Sequence, residues 1–560
     1  TDGDTTANYL DADDDGDGIP TASENADPNV DGDPRDALDS DRDGQPDYLD
    51  IDAGRSATPV VDEQKISDTS GGLTAALADI DNFGGSVAAI GDIDGDGVTD
   101  LAVGAERDDD GGSDRGAVYV LRMNTDGTVK AEQKISHTVG GGPGLDDNDQ
   151  FGGSVAGIGD IDGDGIGDLA VGAVFDDDED FNAGAAYVVF LNADGSAKGH
   201  QKISDTVGGL STDLGSSNYF GDAVAGIGDL DGDGINDLVV GASRDNAGGT
   251  ARGAVIVLFL NSDGTVKAEQ PIAESTGGLS TGLDDADQFG ASIADLGDID
   301  GDGRPDIAVS AHGDDDGGNL RGAVYVLQLN ANGTVKAEQK ISDTSGGFAT
   351  TLGNEDRFGS SLAGIGDLDG DGTPDLAIGA DQDDDGDTNT GAVYLVTLGT
   401  DGTVLSEQKL SDTSGGLTGP FNGFDVFGAS VAGLGDLDGD GTLDLAVGAL
   451  GDDDGGSDRG AVYVLDLSVA PCGTADSDFD GLLDCEEDTN TDADDDPSTN
   501  PGPDTDGDTI ANYLDSDDDG DGRLTSLENA DPNGDGDSRD ARDTDRAGHP
   551  AYLDVEAGPS

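Results

Sequence analysis

One motif recurs six times through the middle of this chain, and it constrains the fold more than any other feature. The unit is Phe-Gly, a short apolar run, Gly-Asp-x-Asp-Gly-Asp-Gly-x-x-Asp and a second apolar run. It starts at Phe83, Phe151, Phe220, Phe289, Phe358 and Phe427, in steps of 68, 69, 69, 69 and 69 residues. So regular a period marks an array in which each repeat is one supersecondary unit packed on its neighbours. The aspartate spacing adds chemistry. Asp92, Asp94, Asp96 and Asp100 put four carboxylates on one tight loop, which suits a hard cation that takes oxygen ligands, calcium above all.

The first repeat reads as four short strands. Ser86–Gly91 and Leu101–Ala105 flank the acidic loop. A second acidic loop, Asp108–Asp114, leads to Gly116–Met123, and the turn Asn124–Gly127 leads to Thr128–Ser136. Glycine at the end of that turn supplies a positive φ. Four antiparallel strands per repeat indicate a propeller blade. A solenoid is the rival, but its repeats are usually shorter and carry one strand or a helix pair. No helical periodicity is visible in the repeat. The fourth-strand sequence Glu-Gln-Lys-Ile-Ser also stands at Glu63, ahead of the first Phe-Gly, and is missing after the last third strand at Gly460–Ser468. Pairing the spare strand with the deficient blade closes the ring and removes both edges. The expected fold is therefore all-β: a closed propeller of six four-stranded blades, flanked by irregular, calcium-stabilised, Asp-rich tails.

The chain of 560 residues carries 123 acids against 25 bases, a net charge of −98. Such a surface excludes nucleic acid as a natural partner, argues against anionic membranes, and strains a compact state unless cations are bound. No apolar run reaches the ~18 residues of a membrane-spanning helix. No signal peptide is visible at Thr1, so a mature or trimmed chain is expected. Cys472 and Cys485 flank an acidic loop; a disulfide fits an oxidising compartment, with two free thiols as the alternative. His137, His200, His312 and His549 lie in no nucleophile–base or zinc spacing, and no phosphate loop is visible, so no enzyme is expected. Asn332-Gly-Thr334 is a glycosylation sequon.

The combination Phe83-Gly84, Asp92–Asp100 and Gly104-Ala105, repeated in order over residues 59–468, resembles the FG-GAP repeats of integrin α-subunit heads. The integrin head has seven blades where six are counted here, and the fourth repeat has Ser310-Ala311 in place of Gly-Ala. The resemblance implies calcium held by loop positions 1, 3, 5 and 9, with a main-chain carbonyl at position 7. The implied ligands are Asp92, Asp94, Asp96 and Asp100; Asp160, Asp162, Asp164 and Asp168; Asp229, Asp231, Asp233 and Asp237; Asp298, Asp300, Asp302 and Asp306; Asp367, Asp369, Asp371 and Asp375; and Asp436, Asp438, Asp440 and Asp444. A plain turn would tolerate Asn or Ser at these places, yet every one is Asp. Magnesium is less suited, because it keeps waters and takes fewer protein ligands.

The tails carry another kind of loop. Asp13, Asp15 and Asp17 with Glu24 follow the EF-hand loop pattern. So do Asp476, Asp478, Asp480 and Glu487, with Asp484 between, and Asp517, Asp519, Asp521 and Glu528. Asp39, Asp41, Asp43, Asp47 and Asp50 form a related loop, as do Asp504, Asp506, Asp508, Asn512 and Asp515. The flanking helices of an EF-hand are absent. Dense Asp with Gly, Pro and few apolar residues resembles thrombospondin type 3 repeats, in which calcium replaces the hydrophobic core; a permanently disordered acidic linker is the alternative. Residues 1–54 and 505–558 are near copies. The first copy begins one residue inside a loop, and the second has Ala547 and Ala551 where the first has Asp43 and Asp47.

The expected domains are 1–58, a thrombospondin type 3-like tail; 59–468, the propeller; and 469–560, a second such tail. Roughly ten or more calcium ions are expected. The expected role is an extracellular or cell-surface structural subunit that polymerises head to tail through its duplicated tails, with itself or a matrix protein as partner. The alternative is an integrin-like adhesion or ligand-binding head on calcium-stiffened stalks.

Overall fold

The computed structural model describes residues 59–467 other than Glu179, Thr418, Pro420, Asp440 and the side chain of Val61. Alternating apolar and polar residues, broken every few positions by glycine and aspartate, produce short strands. β1 spans Val60–Ile66, β2 Phe83–Gly91, β3 Asp100–Ala105, β4 Ala117–Met123 and β5 Val129–Ser136. β2 to β5 make one antiparallel sheet in sequence order, and the same four-strand order recurs in the next four repeats. The first strands of successive blades touch one another around the ring, so β2 and its equivalents are innermost.

The sixth sheet is completed as the spare strand predicts. β1 pairs antiparallel with Ala461–Leu467, from Val60 opposite Leu467 to Ile66 opposite Val462. Six four-stranded blades thus form a closed propeller. Two details differ from expectation. Innermost strands begin earlier, at the phenylalanine itself, and β1 starts at Val60 rather than Glu63. In the fourth blade the innermost strand is short, Ile293–Gly297.

The Phe-Gly pair has two jobs. Each phenylalanine is fully buried. Five of them stand edge-on to a third-strand tyrosine, as Phe83 does to Tyr119 at 5.5 Å, a favoured aromatic geometry. In the third blade Ile256 takes the tyrosine's place. The glycine lets one blade reach another. Gly84 has φ +87°, and a Cβ there would lie 2.4 Å from Ala461 O in the last blade. Buried Leu, Val, Ile and Ala fill each interface between sheets, so the apolar core is distributed among the seams. Among the described residues there is no helix that is long and apolar enough to cross a membrane.

The loops expected in both Asp-rich tails, and the pairing of Cys472 with Cys485, lie outside the described residues.

Candidate metal centres

Each acidic loop joins the far end of an innermost strand to the start of the second. Antiparallel pairing brings those ends together: Gly91 faces Asp100. The first aspartate organises the turn. Asp92 accepts hydrogen bonds from the N–H groups of Gly95 (2.7 Å), Asp96 (3.1 Å) and Gly97 (2.7 Å). Asp160, Asp229, Asp298, Asp367 and Asp436 accept from the equivalent glycines of their own loops. The last aspartate anchors the loop to the sheet. Asp100 accepts from Ile93 N–H at 3.0 Å and from Met123 N–H at 2.9 Å. Burial pushes its carboxyl up to about 6; those two amides oppose the rise, and Asp94 and Asp92 add to it. Asp375 rises to about 7 for the same leading reason.

Carboxylate oxygens gather within 4.8 Å of one another in Asp92, Asp94 and Asp96; in Asp160, Asp162 and Asp168; in Asp229, Asp231 and Asp237; and in Asp298, Asp300 and Asp302. The structure therefore brings together three of the four residues expected at each of these loops. In the fifth loop Asp371 accepts from Thr373 N–H, and Asp375 from Leu368 and Leu398 N–H. In the sixth, Asp436 and Asp444 accept backbone hydrogen bonds from Gly439 and Leu437, Asp438 has interaction partners, and Asp440 lies outside the described residues.

Two observations say that the donor set fits a divalent cation. A lysine ammonium stands in for a positive ion at four loops. Lys130 Nζ is 2.7 Å from Asp94 and 2.5 Å from Asp96. Lys198, Lys267 and Lys336 bridge the same two loop positions in the next three blades. These hydrogen bonds push the Lys130 ammonium well above the usual lysine range. In addition, Asp94 Oδ1 is buried without a hydrogen-bond partner, an orphaned acceptor that a hard cation would satisfy.

Sequence reasoning passed over a second set of carboxylates. In five blades the lysine of the outermost strand reaches back to the loop between second and third strands. Lys134 bridges Asp108 (2.6 Å) and Asp110 (2.8 Å) and lies 5.5 Å from the Tyr119 ring centre. Lys65, Lys202, Lys340 and Lys409 do the same. The signal was present in four blades: a lysine 26 and 24 residues after an Asp-x-Asp; in the sixth the lysine is Lys65, at the other end of the propeller sequence, and the third has Pro271 in its place. Asp180, Asp205 and Asp213 also gather, from two separate loops, with no spacing that a sequence reading could detect.

Family comparison agrees with the geometry. FG-GAP repeats match residues 83–121, 358–396 and 427–465, and an FG-GAP-like repeat matches 229–309. The chain is an integrin-α-like FG-GAP repeat protein. Among its relatives, integrin alpha-4 of Xenopus laevis is 38% identical over 166 residues, 29% of this chain and 14% of that protein. Human integrin alpha-11 is 40% identical over 169 residues, 29% of this chain and 12% of that protein. Integrin alpha pat-2 of Caenorhabditis elegans is 29% identical over 275 residues, 47% of this chain and 21% of that protein. This FG-GAP chain therefore spans about a fifth or less of the relatives it matches.

Proposed function

We propose that this protein is a calcium-stabilised, integrin-like adhesion or ligand-binding propeller that works outside the cell or on its surface, with a cell-surface or matrix protein as partner. The observation that carries the reading is the closed FG-GAP ring with an all-Asp loop in every blade, together with integrin α relatives. In each loop the four aspartates named above would hold calcium, which supplies the positive charge that a chain of −98 lacks. The division at 58/59 and 468/469 belongs to the same reading.

Calcium binding to the folded state alone stabilises it by mass action. The melting temperature of the full chain should therefore rise with calcium and fall on chelation; an unchanged melt removes calcium from the proposal. Adhesion is tested by immobilising the chain and measuring cell capture in flow. Capture in calcium that is lost with chelator is expected, and capture that ignores chelator overturns the reading. The self-assembling filament rests on the duplicated tails, outside the described residues, and the relatives favour the adhesion head over it. Sedimentation of the full chain in millimolar calcium separates the two, since a polymer sediments as a ladder and a head as a monomer.

A further inference from the structure

The face opposite the acidic loops is built from the starts of innermost strands and the ends of second strands, as Phe83 facing Ala105 shows. On this face four of the six seams between blades are latched. Ser86, Ser154, Ser361 and Ser430 each donate an Oγ hydrogen bond of 2.8 Å to a glycine carbonyl of the next blade: Gly152, Gly221, Gly428 and, across the closure, Gly84. The other two seams are adjacent. The third blade has Ala223 at the latch position. In the fourth, Ser292 folds back, its N–H donating to Ser310 Oγ at 2.8 Å.

Ser310 replaces a glycine that the packing normally demands. A Cβ at Gly104 would lie 2.0 Å from Gly152 O. The seam between the fourth and fifth blades makes room by standing wider. A Cβ on Gly359 would be 3.2 Å from Ala323 O, whereas the same measure at Gly84 is 2.4 Å.

A pocket of about 330 Å³ opens over these two unlatched seams. Tyr219, Asp222 and Arg244 enter it from the third blade, Gln288 and His312 from the fourth, and Arg357 from the turn that starts the fifth. Its charge is anomalous for this protein. Every lysine and arginine among the described residues has a carboxylate within 4.0 Å except Arg122, Arg244 and Arg357, and two of those three line this one pocket. A chain with nearly five acids per base has left two guanidinium groups in one pocket with no carboxylate within 4.0 Å.

Arg244 is also held in place. Arg244 stacks on Tyr219 at 4.6 Å, and Tyr219 in turn stands edge-on to Phe175 at 5.1 Å. His312 has no hydrogen-bond partner among the described residues. Burial, with the charges of Arg357 and Arg244, brings its pKa down to about 4, so it faces the pocket neutral. The one acid in the lining, Asp222, accepts from the Ser243 hydroxyl and feels the charge of Arg244, while buried Asp381 feels that of Arg357. Two cationic forks, one of them preorganised by stacking, and an amide in a small concave site match a planar anion.

We propose that this pocket binds a carboxylate, clasped between Arg244 and Arg357 with Gln288 as a further donor, and that the missing latches and Ser310 are what open it. A free carboxylic acid and an acidic side chain of a partner protein share this chemistry. The inference stands apart from the adhesion reading: propionate binding without cell capture would sink only that reading, and capture without propionate binding only this one.

The test is calorimetric titration of the calcium-loaded full chain with propionate, with a blocked peptide carrying one Glu, and with ethylammonium as the opposite charge. Saturable binding of propionate is expected, and the peptide shows whether a side chain on a backbone reaches the site. Arg244→Gln and Arg357→Gln should each weaken binding by about 10-fold or more, the worth of one charged hydrogen bond. Arg122→Gln, the unpaired arginine outside the pocket, should not. Asp222→Asn should tighten binding by removing the competing charge, which keeps the test open if an arginine variant fails to fold. No saturable binding of propionate, equal weakening by Arg122→Gln, or preference for ethylammonium would each overturn the proposal.

Discussion

Lys134 and Gly84 show what single residues do in this ring. Among the described residues Lys134 is the only cation set against the buried carboxylate of Asp108, which also accepts from Tyr119 at 3.4 Å. Lys134→Met should cost about 1–2 kcal/mol, below the full price of breaking a buried pair because the ammonium is partly exposed. Gly84→Ala should cost more, about 2–4 kcal/mol, since it combines a positive φ with a 2.4 Å approach to Ala461 O across the closure. Chemical denaturation read at the midpoint measures both, and a neutral Gly84→Ala would refute the tight closure. The two positions also differ in how legible they were. The glycine of Phe-Gly announced itself by recurring. The lysine recurred too, but its partners lie in another loop, and only the folded chain brings them together. Arg244, His312 and Arg357 were not legible at all, because they are departures from the repeat and a pattern search attends to what is kept.

At the scale of elements, the acidic loops are not equivalent. The first four have a lysine that bridges positions 3 and 5, while the fifth has Leu405 where that lysine would stand. In the absence of calcium the lysine partly neutralises its loop, and the fifth loop has no such substitute. Burial, followed by the charges of Asp371 and Asp367, pushes the carboxyl of Asp369 up. Chelation should therefore raise hydrogen exchange at Asp367–Asp375 before it does so at Asp92–Asp100. Leu405→Lys should slow that exchange in chelator and weaken calcium binding at the same loop. Equal exchange in both loops would show that the lysines do nothing. Strand positions were readable to within a few residues, because period-2 alternation and glycine punctuation mark them. The short innermost strand of the fourth blade was not, since it starts only after Ser292, whose N–H is taken by the Ser310 hydroxyl.

The whole molecule responds to pH through carboxylates buried at the blade junctions. Burial pushes Asp81, Asp149, Asp287, Asp356 and Asp425 each up to about 6, with neighbouring carboxylates contributing and nearby lysines opposing. A carboxyl that binds its proton more tightly folded than unfolded adds stability as the pH falls through its folded value, and the gain is complete near the unfolded value of about 4. Asp110, Asp178 and Asp454, whose values are lowered, act in the opposite sense only below that range. The calcium-free chain should therefore melt at a higher temperature at pH 5 than at pH 7, and a lower melt at pH 5 would contradict the assignment. Deleting residues 59–68 should expose the edge of Ala461–Leu467 and cause aggregation, visible by light scattering.

The closure has a mechanical consequence. Val60 and Leu467, where the chain enters and leaves the propeller, are paired directly opposite each other on the side of the acidic loops. Tension applied through those two points does not shear the strand pair. It pulls on one rung at a time, each worth about 1 kcal/mol, so the ring should unzip at low force while a pull directed across any other blade would meet a whole sheet. A propeller loaded this way is a fuse. It would open from its last blade first and give up its circular continuity under load well before its individual sheets come apart.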